Sequence, residues 1–349
     1  MSMVLTGLGT AVPPHRLTQE EAVELHASFC GFDETRSRTL RALYRRSGVT
    51  TRHSVLLEGS NGELAKRQLF YPPARSDEDP GPSTVARMKA YEEHAPELAV
   101  AAARRALEDG DVDAGAVTHL VTVSCTGFIA PGLDSTIIEA LGLGRDTHRT
   151  HVGFMGCHGA LNGLRVADAF VRADPGAIPL VCAVELCTLH FSYRWDPELL
   201  VANALFADGA AAVVGRAADE GDGGGAERWR VAASGTSLLS EAEDAMTWRI
   251  GDHGFRMTLS PRIPDLIESS LRGWMEGWLA EHGLTLSDVG AWAIHPGGPR
   301  ILSSCRRALE LAPDATAVSD EVLSEHGNMS SATVLFIVQR MMERGAAGP

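Results

Sequence analysis

The stretch Val152-Gly-Phe-Met-Gly-Cys157-His-Gly-Ala-Leu-Asn-Gly-Leu-Arg-Val-Ala167 decides the fold. An apolar start, a run of glycines and then small and apolar residues at helical spacing predict a strand, a tight turn and a buried helix. Cys157 sits where strand becomes helix. A thiol there faces the unsatisfied N–H groups of the first helical turn, which favour the thiolate. Gly159, Ala160 and Gly163 let the helix come close to its neighbours. A lone cysteine in an apolar stretch also serves as a small buried hydrophobe, so the local sequence leaves both roles open.

Outward from this stretch, strands and helices alternate. Apolar, β-branched runs predict strands over 3–12, 119–125, 178–186 and 208–214. Helical spacing predicts helices over 18–29, with Thr18 as N-cap and Glu20 and Glu21 in the first turn, and over 36–46, 135–141 and 199–206. A further helix is expected over 83–109, with a break near Pro96. Residues 58–82 are rich in Gly, Pro and charge and read as a surface loop. The low-complexity run 216–227 divides the chain into halves, 1–216 and 217–349. In the second half, strands are expected over 229–236, 247–259 and 289–295, and helices over 263–282, 300–311 and 329–344. Ile263, Leu266, Ile267, Leu271, Trp274 and Trp278 share one face of the first of these helices. The pattern is α/β, with mostly parallel strands buried between helices.

Composition narrows the function. The chain has 349 residues and a formal charge of −14, with 44% hydrophobic and 22% charged residues. That acidity disfavours a general nucleic-acid or anionic-membrane binder, and no run approaches the length of a membrane span. The six cysteines (30, 125, 157, 182, 187 and 305) form no C-x-x-C pair, and no His cluster sits at ligand spacing. Neither a metal site nor a disulfide framework is expected, and the setting is read as reducing and cytoplasmic.

Two polar residues of the second half lie at loop positions beside apolar segments. His295 ends the apolar run 289–295 and is followed by Pro296-Gly297-Gly298. Strand ends of this kind are where α/β folds place ligands. The tight turn leaves room beside the ring. Asn328 lies in Gly327-Asn-Met-Ser330-Ser331 just before a helix, where N-capping is its ordinary use. Together with Cys157 they offer a thiol, an imidazole and a neutral amide. A thiolate beside an imidazole accepts an acyl group from a thioester. Two fixed donors stabilise the enolate formed when a malonyl group loses CO₂.

Gly153-Phe-Met-Gly-Cys157, Trp292-Ala-Ile-His295-Pro-Gly-Gly-Pro299 and Gly327-Asn328-Met-Ser-Ser331 resemble, in order and spacing, the three catalytic motifs of bacterial-type type III polyketide synthases. These are chalcone-synthase-like enzymes of the thiolase superfamily. Ser47-Gly-Val-Thr-Thr-Arg-His53, Ala86-Arg-Met-Lys-Ala-Tyr-Glu92 and Ala204-Leu-Phe-Ala-Asp-Gly-Ala-Ala-Ala-Val213 extend the likeness over nearly the whole chain. The resemblance implies a thiolase-like, five-layered αβαβα fold of two duplicated halves, and a homodimer. It implies a tunnel for coenzyme A thioesters, used as substrates (acyl-CoA starter and malonyl-CoA) with no separate cofactor. By it, Cys157 carries the acyl group, while His295 and Asn328 serve decarboxylation and condensation. Phe206 and Phe255 are its gatekeeper aromatics. Gly297 and Ser330, within the motifs, join the substrate-binding set. Cys125, Cys187 and His190 stand where plant enzymes carry threonines, and Met246 where a glycine is usual, so Met246 should narrow the cavity. Arg46, with Arg41 and Arg45, lies where the family holds the CoA phosphates. Guanidinium suits phosphate through its forked donors. The implied products are pyrones, resorcinols or other polyphenols. The family continues past its last helix with strands carrying Gly-Phe-Gly-Pro-Gly, whereas this chain closes at Arg344-Gly-Ala-Ala-Gly-Pro349. The second half is therefore expected to be short: either the sequence stops before those strands or the cavity wall is built differently.

Several rivals use similar parts. A ketoacyl synthase III-like enzyme performs a single condensation with Cys, His and Asn, and its carrier-protein-dependent relatives usually carry Gln-Ala-Asn after the His, where this chain has Pro-Gly-Gly. Thiolases need a second catalytic cysteine, and Cys305 lies on a predicted helix in no such motif. A papain-like protease would bring a secreted, disulfide-bearing context. A non-catalytic thiolase-fold binding protein is the alternative of another class, separable by substituting Cys157.

Overall fold

In a computed structural model that describes residues 2–218, 229–240 and 242–345, most of the first half wraps one sheet. Its elements in order are β1 (Met3–Ala11), β2 (Arg16–Thr18), α1 (Gln19–Cys30), α2 (Glu34–Arg45), β3 (Thr51–His53), α3 (Thr84–Asp109), β4 (His119–Ser124), α4 (Leu133–Leu141), β5 (His148–Gly153), α5 (Gly159–Ala173), β6 (Pro179–Leu186), α6 (Pro197–Leu205) and β7 (Asp208–Ala217). The sheet order is β1-β7-β6-β4-β5, and β2 pairs with β3 separately. β4 runs parallel to β5 and β6, but β7 is antiparallel to both β1 and β6. Four of the five strands run the same way, as expected, and the sheet is mixed because β7 enters from α6 against the direction of its neighbours.

The strands are apolar on both faces, and their two-residue period sorts the core into two layers. Leu120, Leu180, Val184, Ala212 and Val214 face α3. Val121, Val123, Val181, Ala183 and Val213 face α5 and, from the second half, α10 (Thr333–Glu343). A Cβ on Gly159 would meet Val123 at 2.8 Å, and one on Gly163 would meet Val181 at 2.9 Å. The small residues after Cys157 are thus what seats α5 on β4 and β6.

Local expectations hold where local chemistry decides. Thr18 and Glu21 form a capping box on α1, closed by Gly31 at φ 61. The break at Pro96 does not occur. α3 runs through it, held by Ala95, Ala99, Ala102, Ala103 and Ala106, all fully buried on the sheet side.

The second half contributes a hairpin, β8 (Met246–Gly251) with β9 (Gly254–Leu259), and the helices α7 (Ile263–Glu281), α8 (Pro299–Leu309), α9 (Ala317–His326) and α10. The single strand expected over 247–259 turns at Asp252-His253. The strand expected over 229–236 is reduced to a bridge of Arg230 to Val4, flanked by Leu5 N donating to Trp229 O and Val231 N to Met3 O. No strand forms over 289–295. An apolar run becomes a strand only beside a backbone with free donors and acceptors, and no described strand lies alongside it. The six apolar residues of α7 are half-buried. The proposed boundary run 216–227 lies outside the described residues from 219 onward, as does the closing stretch from 346.

Candidate active site

Cys157 lies in a short 3-10 turn, Gly156–His158, at the start of α5. It is half-buried and lines a cavity of about 370 Å³. Cys125, at the end of β4, fixes that turn: Gly156 N donates to Cys125 Sγ at 3.0 Å. Phe154, two residues earlier in the turn, has φ 55, and Ser330 has φ 46. Both are unusual for residues with a Cβ, and strain of this kind gathers at functional sites.

Asn328 is 2% exposed. Its backbone bridges the end of α6, with Asn328 N donating to Leu205 O at 2.8 Å and Ala207 N donating to Asn328 O at 3.0 Å. Its Oδ1 accepts from Ser330 N at 2.8 Å, so the amide caps its own turn and keeps Nδ2 as a donor. Ser330 and Asn328 both act on the thiol. Burial pushes Cys157 up to about 11, hydrogen bonding from Ser330 opposes this, and the charge of Glu185 raises it further. The resting group is a thiol, not the thiolate expected at a helix start, because desolvation outweighs the helix N-terminus.

Glu185 escaped the sequence reading. It is fully buried in β6 and accepts from Cys125 N (3.0 Å), Thr126 Oγ1 (2.8 Å) and Ser331 Oγ (2.5 Å). Burial pushes it up to about 7 despite these donors. A lone carboxylate inside the eight-residue apolar run Pro179–Leu186 was the signal available. It ties β4, β6 and the Ser331 turn together beneath Cys157.

His295 is positioned differently. Its segment is tied by a side-chain bond, Ile294 N to Ser319 Oγ at 3.2 Å. Both ring nitrogens are buried without a partner among the described residues, and burial alone pushes the imidazole down to about 4, so the ring is neutral. The following turn leans on Leu205, where a Cβ on Gly298 would lie 3.5 Å from the Leu205 side chain. Leu205 is also the residue that anchors Asn328. Neither His295 nor Gly297 is among the cavity-lining residues, whereas Ser330 is.

The remaining candidates separate into two groups. Phe206, Phe255, Cys125, Cys187, His190 and Met246 all line the cavity. Phe255 stacks on His190 with ring centres 4.2 Å apart. His190 Nε2 lies 2.7 Å from Thr126 O, and Nδ1 accepts from Phe255 N at 3.0 Å, so His190 is a neutral strut for β9. Burial pushes Cys125 and Cys187 up, leaving inert thiols. Met246 is half-exposed at the cavity. Arg41, Arg45 and Arg46 are exposed at the end of α2, away from the lining, and Arg41 pairs with Glu34 at 3.3 Å. Between them on the helix, Tyr44 points inward and lines the cavity. His158 is exposed at the cavity and makes no hydrogen bond to Cys157. Among the described residues no His, Cys, Asp and Glu cluster could hold a metal ion, and no helix is long and apolar enough to cross a membrane.

The family model for the N-terminal domain of chalcone and stilbene synthases matches residues 1–219, and that for the C-terminal domain matches 230–348. A 1,3,6,8-tetrahydroxynaphthalene synthase of Streptomyces peucetius subsp. caesius is 35% identical over 341 residues, 97% of this chain and 85% of that protein. The alpha-pyrone synthesis polyketide synthase-like Pks18 of Mycobacterium tuberculosis is 33% identical over 98% of this chain and 84% of its own length. The crystal structure of PKS-I from the brown alga Ectocarpus siliculosus superposes with a TM-score of 0.91 at 33% identity, covering 98% of this chain and 89% of that one.

Proposed function

The chain belongs to the chalcone and stilbene synthase family of type III polyketide synthases, and from that premise we propose how its own residues carry out the condensation. It is a condensing acyltransferase of thiolase-like fold that extends an acyl group iteratively and cyclises the product. Enzymes of this family use coenzyme A thioesters as substrates. The observation carrying the assignment is that Ser330 and Asn328 both hydrogen-bond Cys157, which with Ser330 lines a cavity walled by Phe206 and Phe255.

Cys157 Sγ attacks the carbonyl of an acyl-CoA starter and the CoA thiol departs. Because the resting group is a thiol, its proton moves to neutral His295 as the bond forms and passes from there to the departing CoA sulfur, which leaves the ring neutral again. Malonyl-CoA then loses CO₂, and the electron pair of the broken C–C bond settles on the thioester oxygen as an enolate. His295 and Asn328 Nδ2 donate to that oxygen. Fixed donors in a water-poor site act most strongly where charge develops. The enolate carbon attacks the Cys157 thioester, releases the sulfur and lengthens the chain by two carbons. Arg46, with Arg41 and Arg45, receives the CoA phosphates at the exposed end of α2. Its likeness to a tetrahydroxynaphthalene synthase and an alpha-pyrone synthesis enzyme favours a polyhydroxylated aromatic or an alpha-pyrone as the product class.

We also take the protein to be a homodimer of two-halved chains (1–216 and 217–349) in the reducing cytoplasm, which suits six unpaired cysteines. β1 is flanked by residues 229–231, but β5 has an open edge beside exposed Phe128, Phe154, Met155 and Leu161. An open edge of this kind invites pairing with a second copy. The deciding experiment feeds labelled malonyl-CoA with a panel of acyl-CoA starters and follows CO₂, products and acylated peptide by mass spectrometry. Absence of both CO₂ release and a Cys157-linked acyl group rejects the assignment.

A further inference from the structure

One wall of the cavity carries a cation with no carboxylate partner. Arg52, in β3, lines the cavity and is 7% exposed. Its Nη1 donates to Asn203 O at 2.5 Å and Phe206 O at 3.1 Å. Its guanidinium carbon lies 5.2 Å from the centre of the Tyr44 ring. Among the described residues no Asp or Glu pairs with it. The contrast with two other buried arginines is instructive. Arg67 is neutralised by Glu21 at 2.7 Å. Arg87 also lacks a carboxylate, and its Nη2 has no partner among the described residues, but its Nε and Nη1 donate to Pro82 O, Tyr71 OH, Leu189 O and Phe191 O, and it does not line the cavity.

A second polar group shares this wall. His26 lines the cavity, is 1% exposed, and its Nε2 has no partner. Its Nδ1 lies 2.7 Å from Tyr44 OH. The Tyr44 hydroxyl donates to Asn203 O at 3.3 Å, so Nδ1–H donates to the Tyr44 oxygen and Nε2 is left as an acceptor with no partner among the described residues. Burial first, and the Arg52 charge second, push His26 down to about 3, so it stays neutral. The wall also lies next to the reaction site. Arg52 holds the carbonyl of Phe206, and a Cβ on Gly327, the residue before Asn328, would lie 3.6 Å from Arg52 Cβ.

We propose that Arg52 binds the 1,3-dicarbonyl segment of the growing acyl chain as its enolate. The inference rests on the condensing reading given above. Each condensation leaves a ketone two carbons from the next carbonyl, and the CH₂ between them is acidic. On binding, its proton leaves to bulk water and the electron pair spreads over both oxygens. The forked N–H groups of a guanidinium match such an oxygen pair, and the anion supplies the missing counter-charge. A plain alkyl chain would leave a buried cation uncompensated, which is costly. Capping the C-terminal end of α6 through Asn203 O and Phe206 O uses Nη1, and the guanidinium also meets Tyr44, so the structural duty leaves part of the fork available. The site therefore favours oxygenated chains and holds them extended for another round.

The test uses 2,4-pentanedione with the full chain and follows enolate absorbance against pH. Wild type should lower the apparent pKa of the bound dione by about one unit or more. R52Q should restore the free value, and R52K should keep part of the shift. No shift in wild type, or an equal shift in R52Q, overturns the proposal. Should R52Q not fold, wild type alone decides: affinity must rise with pH below the dione's pKa, and a flat profile overturns it. In turnover, R52Q should lower the ratio of multiply extended to singly extended products by about tenfold; an unchanged ratio overturns the assignment. A protein that releases CO₂ yet leaves pentanedione unshifted refutes the role of Arg52 alone. One that shifts the dione without releasing CO₂ refutes the condensing reading instead.

Discussion

The Cys157 turn and the His295 segment supply two parts of one proposed reaction, and they are built in opposite ways. Cys157 rests on a bonded scaffold of Cys125, Glu185, Ser331 and Asn328, which joins β4, β6 and α6. His295 rides on a non-strand segment tied by Ile294 N to Ser319 Oγ, and its ring nitrogens have no partner among the described residues. The nucleophile is held before substrate arrives. The imidazole is held mainly by burial, and its hydrogen-bonding capacity is unspent. A reacting group with fixed geometry needs such a scaffold, whereas a donor whose partner is the substrate must be kept free of other partners.

The comparison is tested most severely by removing the sulfur. Cys157→Ala should abolish the acyl-enzyme adduct and lower product formation by at least about 10³-fold, read by intact-protein mass spectrometry and product analysis. Next come the donors. His295→Gln or Asn328→Ala should slow CO₂ release from malonyl-CoA by about 10²–10³-fold; unchanged release removes both residues from the mechanism.

The scaffold beneath the sulfur makes a subtler prediction. The folded-state pKa of Glu185 is raised from 4.5 to about 7 by burial. The fold therefore favours the neutral acid, and its contribution is fully present below about 4.5 and lost as pH rises through about 7. Glu185→Gln should gain on wild type between pH ~5 and ~8 by on the order of 3 kcal/mol, measured by denaturant unfolding at both ends. A pH-independent difference would show that the carboxyl is already ionised. The smallest effect is expected at the rim. Met246→Gly should raise kcat/KM for longer starters relative to shorter ones by about tenfold or less, measured by competition between two acyl-CoA thioesters.

Much of the scaffold was legible because it follows from local chemistry. The Thr18 capping box, the apolar strands β4, β6 and β7, and the glycines that seat α5 are each consequences of a few neighbouring residues. Glu185 was legible in principle as one charge inside an apolar strand, but its role needs Cys125, Thr126 and Ser331, which lie far from it in the chain. The strand expected at 289–295 was misjudged for a related reason. Apolar, β-branched sequence expresses a willingness to pair, and pairing itself depends on a partner backbone.

By itself the amino-acid order determined the α/β class, the three motifs carrying Cys157, His295 and Asn328, and the acidic net charge that disfavours a general nucleic-acid binder, since charge and period are properties of the chain. The tertiary structure decided the protonation states and the company each residue keeps. Cys157 becomes a thiol, His295 a neutral ring and Arg52 a cation facing a cavity. These outcomes depend on how much water is removed and which groups converge, and both are set by packing between segments that sequence places far apart.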